Sequence, residues 1–140
     1  MYRAFELLHH LGTEILDVDG SHETLNVWVV RKPNAATVLV TNHALPRHPI
    51  QTELLNLRIT EARQPRVAYI ERIDDDHANP RRLWKAMGEP QYLSPTQVEQ
   101  LKVTSFLVKQ LQPWRYEQQY IDLSFAMPPH AVAAITIECA

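Results

Sequence analysis

The spacing of apolar side chains changes character along this chain, and each change predicts an element. Ala4, Phe5, Leu7, Leu8 and Leu11 recur at helical intervals, and Gly12 is placed to close that segment as a left-handed C-terminal cap. From Ile15 onward the period falls to two. Leu25, Val27 and Val29 alternate with Asn26, Trp28 and Val30; Val38 and Val40 alternate with Leu39 and Thr41; Leu55, Leu57 and Ile59 alternate with Asn56, Arg58 and Thr60. These are half-buried strands rich in β-branched residues, separated by the turn formers Lys32-Pro33-Asn34 and Pro46-Arg47-His48-Pro49. Val67 to Ile73 makes a further strand after the breaker Gln64-Pro65.

Helical signals then interrupt the strands. Asn79 is a good N-cap, with Pro80 at the first helical position, where its missing N–H costs nothing. Leu83, Trp84 and Met87 share a face, Gly88 is placed as a left-handed cap, and Pro90 stops continuation. A second start follows at Ser94-Pro95, with Gln97 completing a capping box, and this helix is expected to run to about Lys109. Strands resume over Tyr120–Phe125 and Val132–Ile137 with Pro128-Pro129 between them. The predicted fold is mostly β: an antiparallel β-sandwich with a leading helix and a two-helix insertion. Residues 1–12 form the leading helix, and 13–140 the sandwich, with its insertion at 79–110.

Ile73, His77-Ala78-Asn79-Pro80, Trp84, Met87-Gly88, Pro90 and Gln97, in this order, resemble the C-terminal region of glycoside hydrolase family 39, the β-xylosidases and their α-L-iduronidase relatives. Tyr2 to Gly12 resembles the last helix of that family's barrel, Leu39 to His43 a strand ending in its Asn turn, and Met127 to Ile137 its closing strand. The resemblance implies a parent with a (β/α)₈ barrel carrying two catalytic Glu residues, and retaining hydrolysis of a β-linked xyloside through a glycosyl-enzyme intermediate. Such barrels need roughly 250 residues, and this chain has 140. No position here matches either catalytic Glu.

Composition adds bounds. With 45% apolar and 21% charged residues the chain is that of an ordinary globular domain. A net charge of -2 gives no electrostatic reason to expect nucleic acid or an anionic membrane as partner. No apolar run approaches the roughly 20 residues that cross a bilayer, and Tyr2 to Glu6 lacks a signal-peptide core. A soluble protein is expected, with the cytoplasm ahead of other compartments. Cys139 is the single cysteine, so no internal disulfide forms.

Asp74, Asp75, Asp76 and His77 form the densest cluster of acid/base and metal-ligating groups. Glycoside hydrolysis needs two carboxyls facing each other across a walled site, which adjacent acids on one loop do not supply. Their spacing matches neither a calcium loop nor a His pair one helical turn apart. The favoured reading is a solvated loop with one acid near a helix N-terminus; no catalytic residue, metal or cofactor is assigned. Asp74, Asp75, Asp76, His77 and Asn79 are kept as a candidate rim of a substrate cleft in the parent. Trp84 is expected to pack the short helix on the sheet. Trp28 faces either a second layer or the absent barrel, and is the candidate for stacking on a sugar.

The expected role is a non-catalytic C-terminal β-sandwich that supports a barrel, with Phe5, Leu7, Leu8 and Leu11 as the interface to that barrel or to a second copy. Two alternatives stand beside it. One is a carbohydrate-binding module for xylan or xylo-oligosaccharides, which requires aligned exposed aromatics; the other is an interaction module pairing through the helix or an open sheet edge.

Overall fold

A computed structural model describes residues 2–139. Met1 and Ala140, the outer bounds of the expected segments 1–12 and 13–140, lie outside the described residues. The elements run α1 (Tyr2–His9), β1 (Glu14–Leu16), β2 (Leu25–Lys32), β3 (Ala35–Asn42), β4 (Glu53–Ile59), β5 (Pro65–Ile73), α2 (Pro80–Ala86), α3 (Pro95–Thr104), β6 (Gln110–Leu111), β7 (Trp114–Glu117), β8 (Tyr120–Met127) and β9 (Ala131–Cys139). The larger sheet has the order β1-β2-β3-β9-β5-β6 and the smaller one β4-β8-β7. All pairings are antiparallel.

Alternation explains the layering. Val38 and Val40 on β3, Ile135 and Ile137 on β9, and Ile70 on β5 face inward, against Ile121, Leu123, Phe125 and Met127 of β8. Each such side chain, removed from water, contributes roughly 1.5 to 3 kcal/mol. Leu55, Leu57 and Ile59 of β4 are only partly buried, as befits a strand paired on one side. The central strands β3 and β9 are buried on both faces, because α1 lies across the outer face of the larger sheet. Leu7 is 2% exposed there and packs with Leu39 and Ala134.

The local signals for the insertion are met in detail. The Asn79 side chain accepts from Arg82 N at 3.3 Å, Gly88 has φ +89°, and Ser94 and Gln97 form both halves of the capping box. The Glu89 amide donates to Trp84 O at 3.1 Å, closing the C-terminus of α2. Pro65 opens β5 next to an irregularity of register between Pro65 and Val67, where its missing N–H is harmless.

Three expectations are corrected. Gly12 is no helix cap: α1 stops at His9, and Gly12 is required because a Cβ there would sit 2.2 Å from Arg31 O of β2. The second inserted helix ends at Thr104 rather than near Lys109, and the segment after it turns into β6 beside β5. Neither short strand, β6 or β7, nor the two-residue turn Gln118-Gln119 that joins β7 to β8, carries a sequence signal. That turn has φ +49° and +65°, values usually met with Asn and Gly. Finally, α2 packs on α3 rather than on the sheet, and the Trp84 indole N–H donates to Pro90 O at 3.2 Å, bracing the turn between the helices.

Candidate functional site

The Asp74–Asn79 loop leaves β5 at the end of the larger sheet. Of the three adjacent acids Asp74 is the buried one: its side chain is 3% exposed. Its Oδ1 accepts from the Asp76 amide at 2.9 Å and meets His77 Nδ1 at 2.7 Å, while Asp74 and His77 also exchange backbone hydrogen bonds. A buried carboxylate persists only when its lone pairs are satisfied, so Asp74 anchors the loop that delivers Asn79 to α2. Asp75 and Asp76 are exposed, and Asp76 pairs with Arg82. The concavity beside them, about 270 Å³, is lined by Asp75, Asp76, Asn79 and Arg82, and no second carboxyl wall faces it. Nothing in this arrangement reproduces opposed acids across a sugar.

His43 and His130 meet edge to face with centroids 5.7 Å apart, and His22 Nδ1 accepts from the Thr24 and Leu25 amides. Among the described residues no group of three metal-ligating side chains converges.

A cavity of about 550 Å³ opens between the sheets, floored by Leu16, Ile59, Ile121 and Ile137. Two carboxylates line it, Glu14 and Glu61, and Glu14 is already held by Arg31 through bonds of 2.6 and 2.9 Å. The outer face of the smaller sheet carries paired polar side chains: Ser124 with Asn56 at 2.9 Å, and Arg58 with Asp122 at 2.7 and 3.0 Å. Hydrogen bonding to Arg58 holds the Asp122 carboxyl below its usual range, and Asp122 raises Arg58 in turn.

Trp28 lies on the outer face of the larger sheet, opposite Leu39 in register, so it points away from the smaller sheet and shares the face that carries α1. It is 44% exposed. On α1 itself, Leu7 is buried while Tyr2, Phe5 and Leu8 are 73%, 62% and 46% exposed. Of the four positions named as an interface, Leu7 is therefore spent on this domain's own sheet, Leu11, just past α1, packs at the edge of the same cluster, and Phe5 and Leu8 stay open. Arg3, which the sequence reading passed over, fixes the helix laterally: it pairs with Glu6 at 2.6 Å and lies 4.6 Å over the Phe106 ring.

Fold and site together define a β-sandwich with a helical appendage and an apolar outer side. The sequence model of glycosyl hydrolases family 39 matches residues 1–119. A β-xylosidase of Caldicellulosiruptor saccharolyticus is 32% identical over 140 residues, covering 98% of this chain and 29% of that protein. The fold is similar to the GH39 enzyme from Xanthomonas axonopodis pv. citri, with TM-score 0.72 and 18% identity over 99% of this chain and 30% of that one. It is similar too to a monomeric β-xylosidase from Caulobacter crescentus CB15, with TM-score 0.68, 17% identity and the same coverage. This chain belongs to glycoside hydrolase family 39. It spans about 30% of the length of these relatives. No helix among the described residues is long and apolar enough to cross a membrane.

Proposed function

We propose that this chain is the non-catalytic β-sandwich portion of a β-xylosidase-like glycoside hydrolase, and that it supports a catalytic barrel through the outer side of α1 and Trp28. One observation carries the reading: of the apolar side chains of α1 only Leu7 is fully buried, while Phe5 and Leu8, with Trp28 of β2, stay exposed on the side of the larger sheet that carries the helix. Exposed apolar side chains gathered on one side of a domain mark a contact surface. The relatives supply what such a contact would require, since about 70% of their length lies outside the matched segment. The Asp74–Asn79 loop, rigidly built by Asp74, is offered as a rim element of the parent's cleft.

A platform-type carbohydrate-binding module has less support. The sheet-borne exposed aromatics among the described residues are Trp28 and Tyr120, which lie on different sheets.

The test is a chimera in which this chain replaces its matching segment in the Caldicellulosiruptor β-xylosidase. Xylosidase activity is expected to survive the exchange, and Phe5→Asp with Trp28→Asp should lower the temperature at which activity is lost while leaving the melting of the 140-residue chain unchanged. Aryl-xyloside hydrolysis by this chain alone, at a rate that persists through repurification, would refute the non-catalytic assignment. Equal heat resistance of chimera and double variant would refute the docking face.

A further inference from the structure

Arginines in this chain are either paired with an acid or bathed in water, with one exception. Arg31 pairs with Glu14, Arg58 with Asp122, Arg66 with Glu138 and Arg82 with Asp76, and Arg3 and Arg115 are paired as well. Arg47, Arg63 and Arg81 have no such partner but are exposed, so water satisfies them. Arg72 is half-buried, and among the described residues no carboxylate lies within 4.0 Å of its guanidinium. Its Nε is enclosed by protein and has no hydrogen-bond partner. Burial withdraws that N–H from water, and no acceptor among the described residues replaces what it loses.

The strand explains where this cation sits. Ala68 and Ile70 of β5 belong to the core between the sheets, while Ile73 packs with Leu7 on the outer side. Arg72 has the parity of Ala68 and Ile70, so it faces the smaller sheet, next to the short side chain of Ala133 on β9. Ile73 ends β5, which puts the guanidinium at the end of the sandwich where the Asp74–Asn79 loop departs. The acids of that loop do not serve it: Asp74 is engaged by His77 and the Asp76 amide, Asp76 by Arg82, and Asp75 is exposed.

We propose that Arg72 is a docking anchor whose guanidinium pairs with a carboxylate side chain of the catalytic barrel. The assignment rests on the supporting role proposed above, under which the partner is polypeptide. A guanidinium stays charged and offers its donors as a planar fork, which a carboxylate matches with two parallel bonds. About 70% of the relatives' length lies outside the matched segment, which leaves a large surface to carry such an acid. The anchor does what the apolar patch cannot. Burial of Phe5, Leu8 and Trp28 is non-directional, whereas a forked ion pair fixes an angle, and at this place it sets the barrel in register with the Asp74–Asn79 loop.

Two backgrounds give opposite signs for one substitution. In the 140-residue chain Arg72→Met keeps the apolar stem and removes an unpaired guanidinium, so the Tm is expected to stay equal or rise. In the Caldicellulosiruptor chimera the same substitution strands a barrel acid, and the half-life of xylosidase activity at elevated temperature should fall about tenfold or more. Arg72→Lys in the chimera retains the charge without the fork and should fall between the two. A zero-length carbodiimide then couples the introduced amine to its carboxylate, and peptide mass spectrometry is expected to place that acid outside the exchanged segment. A lower Tm of the 140-residue chain on Arg72→Met, or failure of that variant to fold, would overturn the anchor by making Arg72 a support of its own domain. Unchanged heat resistance of the chimera, or coupling to an acid of this chain, would overturn it as well. So would a rise in Tm of the 140-residue chain with inorganic phosphate that Arg72→Met abolishes, since the site would then serve a small anion. Failure here is separable from failure of the docking face: Phe5→Asp with Trp28→Asp can lower heat resistance while Arg72→Met leaves it unchanged, which sinks the anchor alone.

Discussion

Asn42 should be the most sensitive polar position in the molecule. It ends β3 at 0% exposure, and its Nδ2 donates to Gln51 O at 2.9 Å, Met127 O at 2.9 Å and Pro128 O at 3.2 Å. Three carbonyl oxygens around one atom fix the amide orientation. The side chain thereby ties the approach to β4 and the β8–β9 connection to the end of the larger sheet. Oδ1 is buried without a partner among the described residues, so all the stabilisation comes from the donor side. In Asn42→Ala the Met127 carbonyl stays buried and unsatisfied, costing about 1 to 3 kcal/mol, and the part-buried bonds to Gln51 and Pro128 add about 1 kcal/mol, for roughly 2 to 4 kcal/mol in all. An unfolding entropy of about 2.1 cal/mol/K per residue converts this to a fall in Tm of about 7 to 14 °C. Asn42→Asp separates hydrogen bonding from shape, because it keeps the volume but turns a carboxylate toward three carbonyl oxygens. It should be at least as damaging as Asn42→Ala at pH 7. Thermal and urea denaturation followed by circular dichroism measure both variants; an Asn42→Asp protein within about 1 kcal/mol of wild type would refute the reasoning.

Other perturbations test separate links. Gly12→Ala should exceed Gly88→Ala in cost, although Gly12 has no positive φ: its Cβ would meet Arg31 O at 2.2 Å, whereas Gly88 has open space and pays only for φ +89°, about 1 kcal/mol, as paired urea titrations should show. Replacing Gln118-Gln119 by Asn-Gly should stabilise the β7–β8 hairpin by roughly 0.5 to 1.5 kcal/mol, since both positions have positive φ; an unchanged or lower Tm would count against the turn geometry. Ser94→Ala removes the reciprocal cap of α3, a helix with no fully buried residue, and should cost about 1 kcal/mol locally, seen as faster amide exchange over Gln97–Leu101 with little change in global Tm. Asp122 has a lowered pKa in the fold, so its pairing with Arg58 stabilises above the unfolded carboxyl pKa of about 3.9 and is lost as pH falls through the lowered value. Asp122→Asn should therefore differ from wild type near neutrality, weakly and less so at high salt, and converge with it in acid.

The one-dimensional pattern determined this protein's elements wherever a local force dominates. Alternation placed β2 to β5, β8 and β9, because the half-buried face of a strand leaves a period of two. Caps placed α2 and the start of α3, because orphan N–H groups demand specific side chains at fixed offsets. The ordered motif from Ile73 to Gln97 revealed the family. Other features had no local cause to read. Gly12 is set by the approach of β2, the end of α3 by pairing of the following segment with β5, and the β7–β8 turn by strands that hold Gln118 and Gln119 in a conformation they do not prefer. Asp74 read as one acid among three, and only folding singled it out, by burying it against His77 and the Asp76 amide.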